Sequence, residues 1–266
     1  MDFSVSDDQR ELVSSTRRLL ARSSPIASVR TIAESGGAGF DPAVWKQGCD
    51  LGWAALLVPE SHGGLGRDLT DLLLIAEEWG RSVQPGPLIG TAVATVAIAE
   101  SGRAALMAEA LPRLATGEST ATWALAEPGG EWDAASVSMQ AVGHDDGYVL
   151  HGTKTQVPDA DTADWLVVTT RLDGDPAQFL VPRGTAGLSV RRLVTLDITR
   201  RLDEVTFDHV WIPSSALLSG LVPAALAVER QLQVGEVLVS ADSVGVAARL
   251  LEMSVDYAKL RVQFGR

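Results

Sequence analysis

The stretch that most constrains this chain lies between residues 119 and 218, where short β-rich runs follow one another too closely for helices to fit between them. The runs are 121–125, 136–142, 148–151, 165–170, 178–181 and 205–210. Asp145-Asp146-Gly147 and Asp173-Gly174-Asp175-Pro176 supply the residues that chain reversals require. Parallel neighbours need a long crossover, so a mainly antiparallel sheet is expected, closed into a small barrel or sandwich.

Both flanks read as helix. Ser6 ahead of Asp7 and Asp8 offers an N-cap and a negative first turn. Leu12, Val13, Leu19 and Leu20 then recur at helical spacing. Asp41-Pro42 marks a second start, for a helix expected to end near Gly52. A loop follows through Gly63-Gly64-Leu65-Gly66, and Asp68 or Thr70 is placed to cap the helix carrying residues 72–79. Two further helices fit 88–101 and 103–116, and a very long one fits 234–264, weakened slightly by Gly235 and Gly245. The expected organisation is α+β and multidomain: an N-terminal helical domain (1–118), a central antiparallel β-barrel or sandwich domain (119–218) and the start of a C-terminal helical bundle (219–266).

Composition excludes several function classes. Hydrophobic residues make up 46% of the 266 and charged residues 21%, which suits packed cores rather than disorder. A formal net charge of −12 disfavours a nucleic-acid surface, which needs clustered Lys and Arg. Cys49 is the only cysteine, so an intrachain disulfide is impossible; a reducing compartment and an unreactive buried thiol are expected. No signal-peptide pattern opens the chain, and the apolar run 88–99 is too short to span a bilayer and is interrupted by Gly90, Thr91 and Thr95, so a cytoplasmic protein without membrane insertion is expected. His62, His144, His151 and His209 are spread without metal-ligand spacing, and no metal site is expected.

Several motifs occur in order along the chain. Val58-Pro59-Glu60 with Gly63-Gly64-Leu65-Gly66 precedes Glu77-Glu78-Trp79-Gly80-Arg81. Leu125-Ala126-Glu127-Pro128-Gly129 follows, then Asp146-Gly147-Tyr148 to Gly152 and Lys154. Phe207-Asp208 with Val210, Ile212 and Pro213 comes next, and Tyr257-Ala258, Arg261 and Gln263-Phe264-Gly265-Arg266 end the series. Together these resemble the acyl-CoA dehydrogenase family. The resemblance implies helical, β-barrel and four-helix-bundle domains packed as dimers or tetramers. It also implies FAD as cofactor, α,β-desaturation of an acyl-CoA thioester, and an acceptor such as an electron-transfer flavoprotein. In that chemistry a carboxylate base removes the α-proton while hydrogen bonds hold the thioester oxygen.

Carried over residue by residue, the resemblance is uneven. Leu125 and Ala126 take the places that lie against the flavin, where a Thr or Ser is frequent at 126. Gln156 and Pro158 stand where the family has Trp and Thr around the ring, and Pro158 also lacks a backbone donor. Trp132 replaces a small hydroxyl beside the substrate path. Gly235 falls where some members carry the catalytic Glu, and Glu236 where many carry an Arg of the substrate site. Glu229 and Glu236 are therefore weak candidates for the base, against ordinary solvated carboxylates. Arg261, Gln263 and Phe264 match positions that hold the FAD of an adjacent subunit, a task suited to the planar donors of Arg. The implied function is an acyl-CoA dehydrogenase subunit in a homo- or hetero-oligomer, in which a partner chain of the same family supplies the base, with a bulky or steroid-derived acyl group as one substrate. The alternatives are a non-catalytic structural subunit or truncated relic, and an acyl-CoA oxidase or flavin monooxygenase on the same fold.

Overall fold

The computed structural model describes residues 4–218 and 223–264, so Gly265, Arg266 and the expected boundary at 219 lie outside the described residues. Six helices come first: α1 (Asp7–Ser23), α2 (Ile26–Glu34), α3 (Pro42–Asp50), α4 (Leu69–Ser82), α5 (Leu88–Glu100) and α6 (Ala104–Ala115). Local chemistry starts three of them. Ser6 and Gln9 form a reciprocal capping box, Asp41 accepts from the Ala43 amide at 2.8 Å, and Asp68 rather than Thr70 accepts at the next start, at 2.9 Å. Trp45, Trp53 and Trp79 meet edge-to-face inside this layer, and Trp53 donates to buried Thr16 at 3.0 Å. Cys49 is buried beside them, its thiol pushed up to about 12 mainly by desolvation.

Seven strands follow: β1 (Ala121–Ala124), β2 (Gln140–His144), β3 (Gly147–Pro158), β4 (Trp165–Leu172), β5 (Asp175–Pro182), β6 (Leu188–Arg192) and β7 (Leu202–Pro213). They form one curled sheet in the order β1-β4-β2-β3-β7-β6, with β5 paired to β4. The β2–β3, β3–β7, β4–β5 and β6–β7 pairings are antiparallel, as the close spacing predicts; β1–β4 and β2–β4 are parallel. The sheet is therefore mixed, and the segment between β1 and β2 is long enough to return the chain for a parallel pairing.

The final helix, α7 (Ala224–Leu260), starts directly after Pro223, ten residues before the expected start, and stops before Phe264 because Arg261 is extended (φ −75°, ψ 119°). Val228, Gln231, Val234, Leu238 and Gly245 form its buried stripe against α4, α5 and the sheet. Its outer face exposes Val239, Val244, Leu250, Leu251 and Met253. Two glycines set the crossing with α4: a Cβ on Gly245 would lie 1.9 Å from the Glu77 carbonyl oxygen, and one on Gly80 would lie 1.8 Å from that of Asp242. The Trp79-Gly80-Arg81 motif thus has a packing basis. Arg81 adds an ion pair to Glu252 at 2.8 Å. No helix among the described residues is long and apolar enough to cross a membrane.

Candidate functional site

The segment leaving β1 is organised around one carboxylate. Glu127 accepts from the Ser138 amide and the Met139 amide, each at 2.9 Å, and from the Ser138 hydroxyl. Its remaining partner is Lys154 on β3, at 2.7 Å, whose ammonium also donates to the Leu125 carbonyl at 2.9 Å. Lys154 is completely buried. Desolvation pushes its amine down to about 8, with Glu127 pulling the other way. For Glu127, burial works against the charge, but Lys154, Ser138 and the Met139 amide outweigh it and hold the carboxyl below its ordinary range. Arg171 completes the arrangement by donating to the carbonyls of Ala135, Val137 and Gly174, which ties the segment before β2 onto β4.

Leu125 and Ala126 are buried at the root of this assembly, and the Ala126 carbonyl accepts from the Thr155 amide at 2.8 Å. Ala126 contributes a methyl where a hydroxyl was the alternative. Gln156 is exposed on left-handed backbone (φ 54°), and Pro158 accepts from the Thr122 hydroxyl through its carbonyl. Trp132 is half exposed and meets Trp123 edge-to-face, with ring centroids 6.2 Å apart. Leu125, Ala126, Gln156, Pro158 and Trp132 thus surround the β1 exit, but none lines the broad cavity next to Glu127. That cavity, of about 860 Å³, is bordered by Glu127, Ser138, Met139, His144, His151 and His209 among others.

The α7 residues are placed elsewhere. Glu229 and Glu236 are exposed, and neither side chain has a partner among the described residues. Gly235 instead lies over α5, where an added Cβ would sit 3.6 Å from Val93. Arg261, Gln263 and Phe264 stand exposed past the end of α7; Arg261 stacks over the Tyr257 ring at 5.5 Å and donates to its hydroxyl. None of the three makes a hydrogen bond or ring contact with the sheet. The chain therefore holds two separate groups, one at the β1 exit and one at the far end of α7.

Sequence reasoning missed the Glu127–Lys154 pair as a unit, although both residues stood in recognised motifs. It also kept the histidines apart, whereas the fold brings His151 and His209 together, with ring centroids 4.6 Å apart. Another group joins the loop after β3, the β6–β7 loop, the start of β7 and α7. There Arg200 pairs with Asp242 at 2.6 Å, Arg201 with Asp161 at 3.2 Å, and Asp159 and Asp203 lie alongside. Burial, then the neighbouring Asp203 and Asp161, push the Asp159 carboxyl up to about 7, against the pull of Arg200 and Arg201.

Comparison with known proteins gives this geometry a setting. Residues 6–118 match the acyl-CoA dehydrogenase N-terminal domain and residues 122–210 the acyl-CoA dehydrogenase middle domain. Acyl-CoA dehydrogenase IpdE2 of Mycobacterium tuberculosis is 30% identical over 97% of this chain. The chain spans 64% of the length of that relative. The Tcur3481–Tcur3483 steroid ACAD superposes with a TM-score of 0.86 at 33% identity, covering 98% of this chain and 69% of that one. The ChsE4–ChsE5 complex of M. tuberculosis superposes at 0.89 with 25% identity, covering 100% and 70%.

Proposed function

The chain belongs to the acyl-CoA dehydrogenase family, and on that premise we propose that it is one subunit of a hetero-oligomeric, FAD-dependent acyl-CoA dehydrogenase. The enzyme's reaction is α,β-desaturation of an acyl-CoA thioester, with a bulky, steroid-derived acyl group as the favoured class. The observation that carries this reading is the asymmetry between the two groups just described. Around the β1 exit, Ala126 has no hydroxyl, Gln156 projects from an exposed left-handed position and Pro158 has no amide donor. These residues do not fit a flavin ring that needs hydrogen bonds to its polar edge, so no catalytic step is assigned to them. Arg261, by contrast, stands clear of its own sheet with a phosphate-compatible head.

A partner chain of the same family accordingly supplies the ring pocket and the base, while this chain presents Arg261, Gln263 and Phe264 to the partner's cofactor. The exposed apolar side chains of α7 suit such an association. Similar solved structures include two-chain assemblies, ChsE4–ChsE5 and Tcur3481–Tcur3483. Glu229 and Glu236, exposed and without a side-chain partner among the described residues, are assigned no catalytic part, since a base needs water kept away from it. We divide the chain at 1–118, 119–218 and 219–266. Its single free cysteine supports our assignment of the chain to a reducing compartment, the cytoplasm, and an electron-transfer flavoprotein is the expected acceptor.

Flavin absorbance tests the reading, measured on the purified chain alone and on the chain co-expressed with a second family member. Flavin is expected only in the mixture. One FAD per chain in the isolated protein, with oxidation of acyl-CoA, overturns the proposal.

A further inference from the structure

Residues that alternate along a strand point to opposite faces, so neighbours such as Asp208 and His209 do not normally converge on one point. Here the ladder between β3 and β7 slips. Leu150 pairs with Val210 and Gly152 with Phe207, so the single residue His151 faces both Asp208 and His209. That two-against-one count is a β-bulge, a device that re-aims side chains. His209 adopts φ 51° within it, a left-handed backbone that cancels the alternation.

The result is a compact donor set. One donor atom from each of His151, Asp208 and His209 lies within 4.8 Å of the other two. An Asp208 oxygen is 2.8 Å from His209 Nδ1 and 3.9 Å from His151 Nδ1. Ligand atoms held about 2.0–2.1 Å from a tetrahedral Zn²⁺ are roughly 3.3 Å apart, and the observed separations bracket that value. All three side chains are exposed, so an ion can enter and small rotations bring the donors into place.

We propose that His151, Asp208 and His209 bind one divalent late transition-metal ion, of which Zn²⁺ is the natural probe. Two imidazoles and a carboxylate suit Zn²⁺, Ni²⁺ and Cu²⁺ and discriminate against Mg²⁺ and Ca²⁺, which prefer all-oxygen sites. Three protein donors leave a coordination position for water or an exogenous oxygen ligand. His151 and His209 also border the cavity of about 860 Å³, so that position sits at the cavity's rim. The ion ties the bulge of β7 to β3. The site is independent of the flavin reading, because it uses none of the residues on which that reading depends.

The test is calorimetric titration of the tag-free, chelator-treated full chain with Zn²⁺, supported by Co²⁺ absorption as a reporter of nitrogen and oxygen ligation. One equivalent of Zn²⁺ per chain is expected, with a raised melting temperature. Affinity is expected to fall roughly tenfold or more in His151→Ala and in His209→Asn. Asn tolerates the left-handed backbone at 209, so an unchanged metal-free melting temperature in that variant separates loss of a ligand from loss of the fold. His144→Ala, which alters the same cavity, is expected to bind as the parent does. Absence of a stoichiometric site, or equal affinity in the parent and both ligand variants, overturns the proposal.

Discussion

Lys154 and Glu127 form a charge pair at 2.7 Å in which the lysine has no solvent exposure and the carboxylate is almost as enclosed. Such a pair stabilises weakly against an apolar alternative but is costly to break from one side. Lys154→Met leaves the Glu127 charge buried and the Leu125 carbonyl without its donor. A loss of about 3–5 kcal/mol in unfolding free energy is expected by urea denaturation. Adding Glu127→Gln to that variant removes the stranded charge and is expected to recover part of the loss; no recovery would show that packing around Lys154, rather than charge, dominates.

Asp159 predicts a pH dependence. Its carboxyl rises from 3.8 to about 7 in the folded chain. Between those values the folded protein keeps a proton that the unfolded chain has released. The stability contributed here therefore falls as pH rises through that window, and the penalty is complete above about 7. The groups facing it are Arg200, Asp203, Asp161 and Arg201. Asp159→Asn keeps the shape, tolerates the left-handed backbone and is expected to flatten the fall between pH 5 and 7. A melting-temperature profile that still falls as steeply in the variant would rule Asp159 out as its source.

Gly245 and Gly235 are expected to respond in opposite ways to alanine. At 245 the new methyl meets the Glu77 carbonyl oxygen at 1.9 Å and the Arg81 amide nitrogen at 2.8 Å, so α7 must lift from α4. Overpacking of this kind costs about 1–3 kcal/mol. At 235 the nearest atom is Val93 Cγ2 at 3.6 Å, and the gain in helix propensity should raise the melting temperature.

Gln178 of β5 and Gln231 of α7 exchange two buried hydrogen bonds, at 2.7 and 2.9 Å. Gln231→Leu leaves the buried Gln178 Oε1 without its donor, while Nε2 keeps the Thr169 hydroxyl at 3.1 Å, and is expected to cost about 1–3 kcal/mol by denaturant titration. The double replacement by leucine should be closer to the parent than either single one.

What the sequence revealed was mostly what its chemistry acts on nearby. Ser6, Asp41 and Asp68 cap amides within three residues, so their roles were readable in short windows. Helix α2 escaped notice because Pro25 makes no side-chain cap and only Val29 of that helix is buried. Strand β6 escaped because it is only five residues long and lies at a sheet edge, so the alternation of Leu188 and Val190 with exposed Ser189 and Arg191 spans too short a window to stand out. The candidate site divides in the same way. Motif residues such as Ala126 and Arg261 were identified individually. Glu127–Lys154, Gln178–Gln231 and His151–His209 join residues far apart in the chain, and the last depends on a bulge that no local pattern announces.

The two fixed points of α7 have a mechanical consequence. Gln231 pins the helix to the sheet, and Gly245 seats it against α4 about 21 Å further along at 1.5 Å per residue. A rod held at two places has its bearing determined, and its free end acts as a pointer. Arg261 lies at that end, roughly 24 Å beyond the second support and about 14 Å beyond Glu252, whose ion pair with Arg81 steadies the span between them. Its partner among the described residues, Tyr257, rides on the same helix, so a change of tilt at Gly245 swings the guanidinium through an arc without altering a single atom of Arg261.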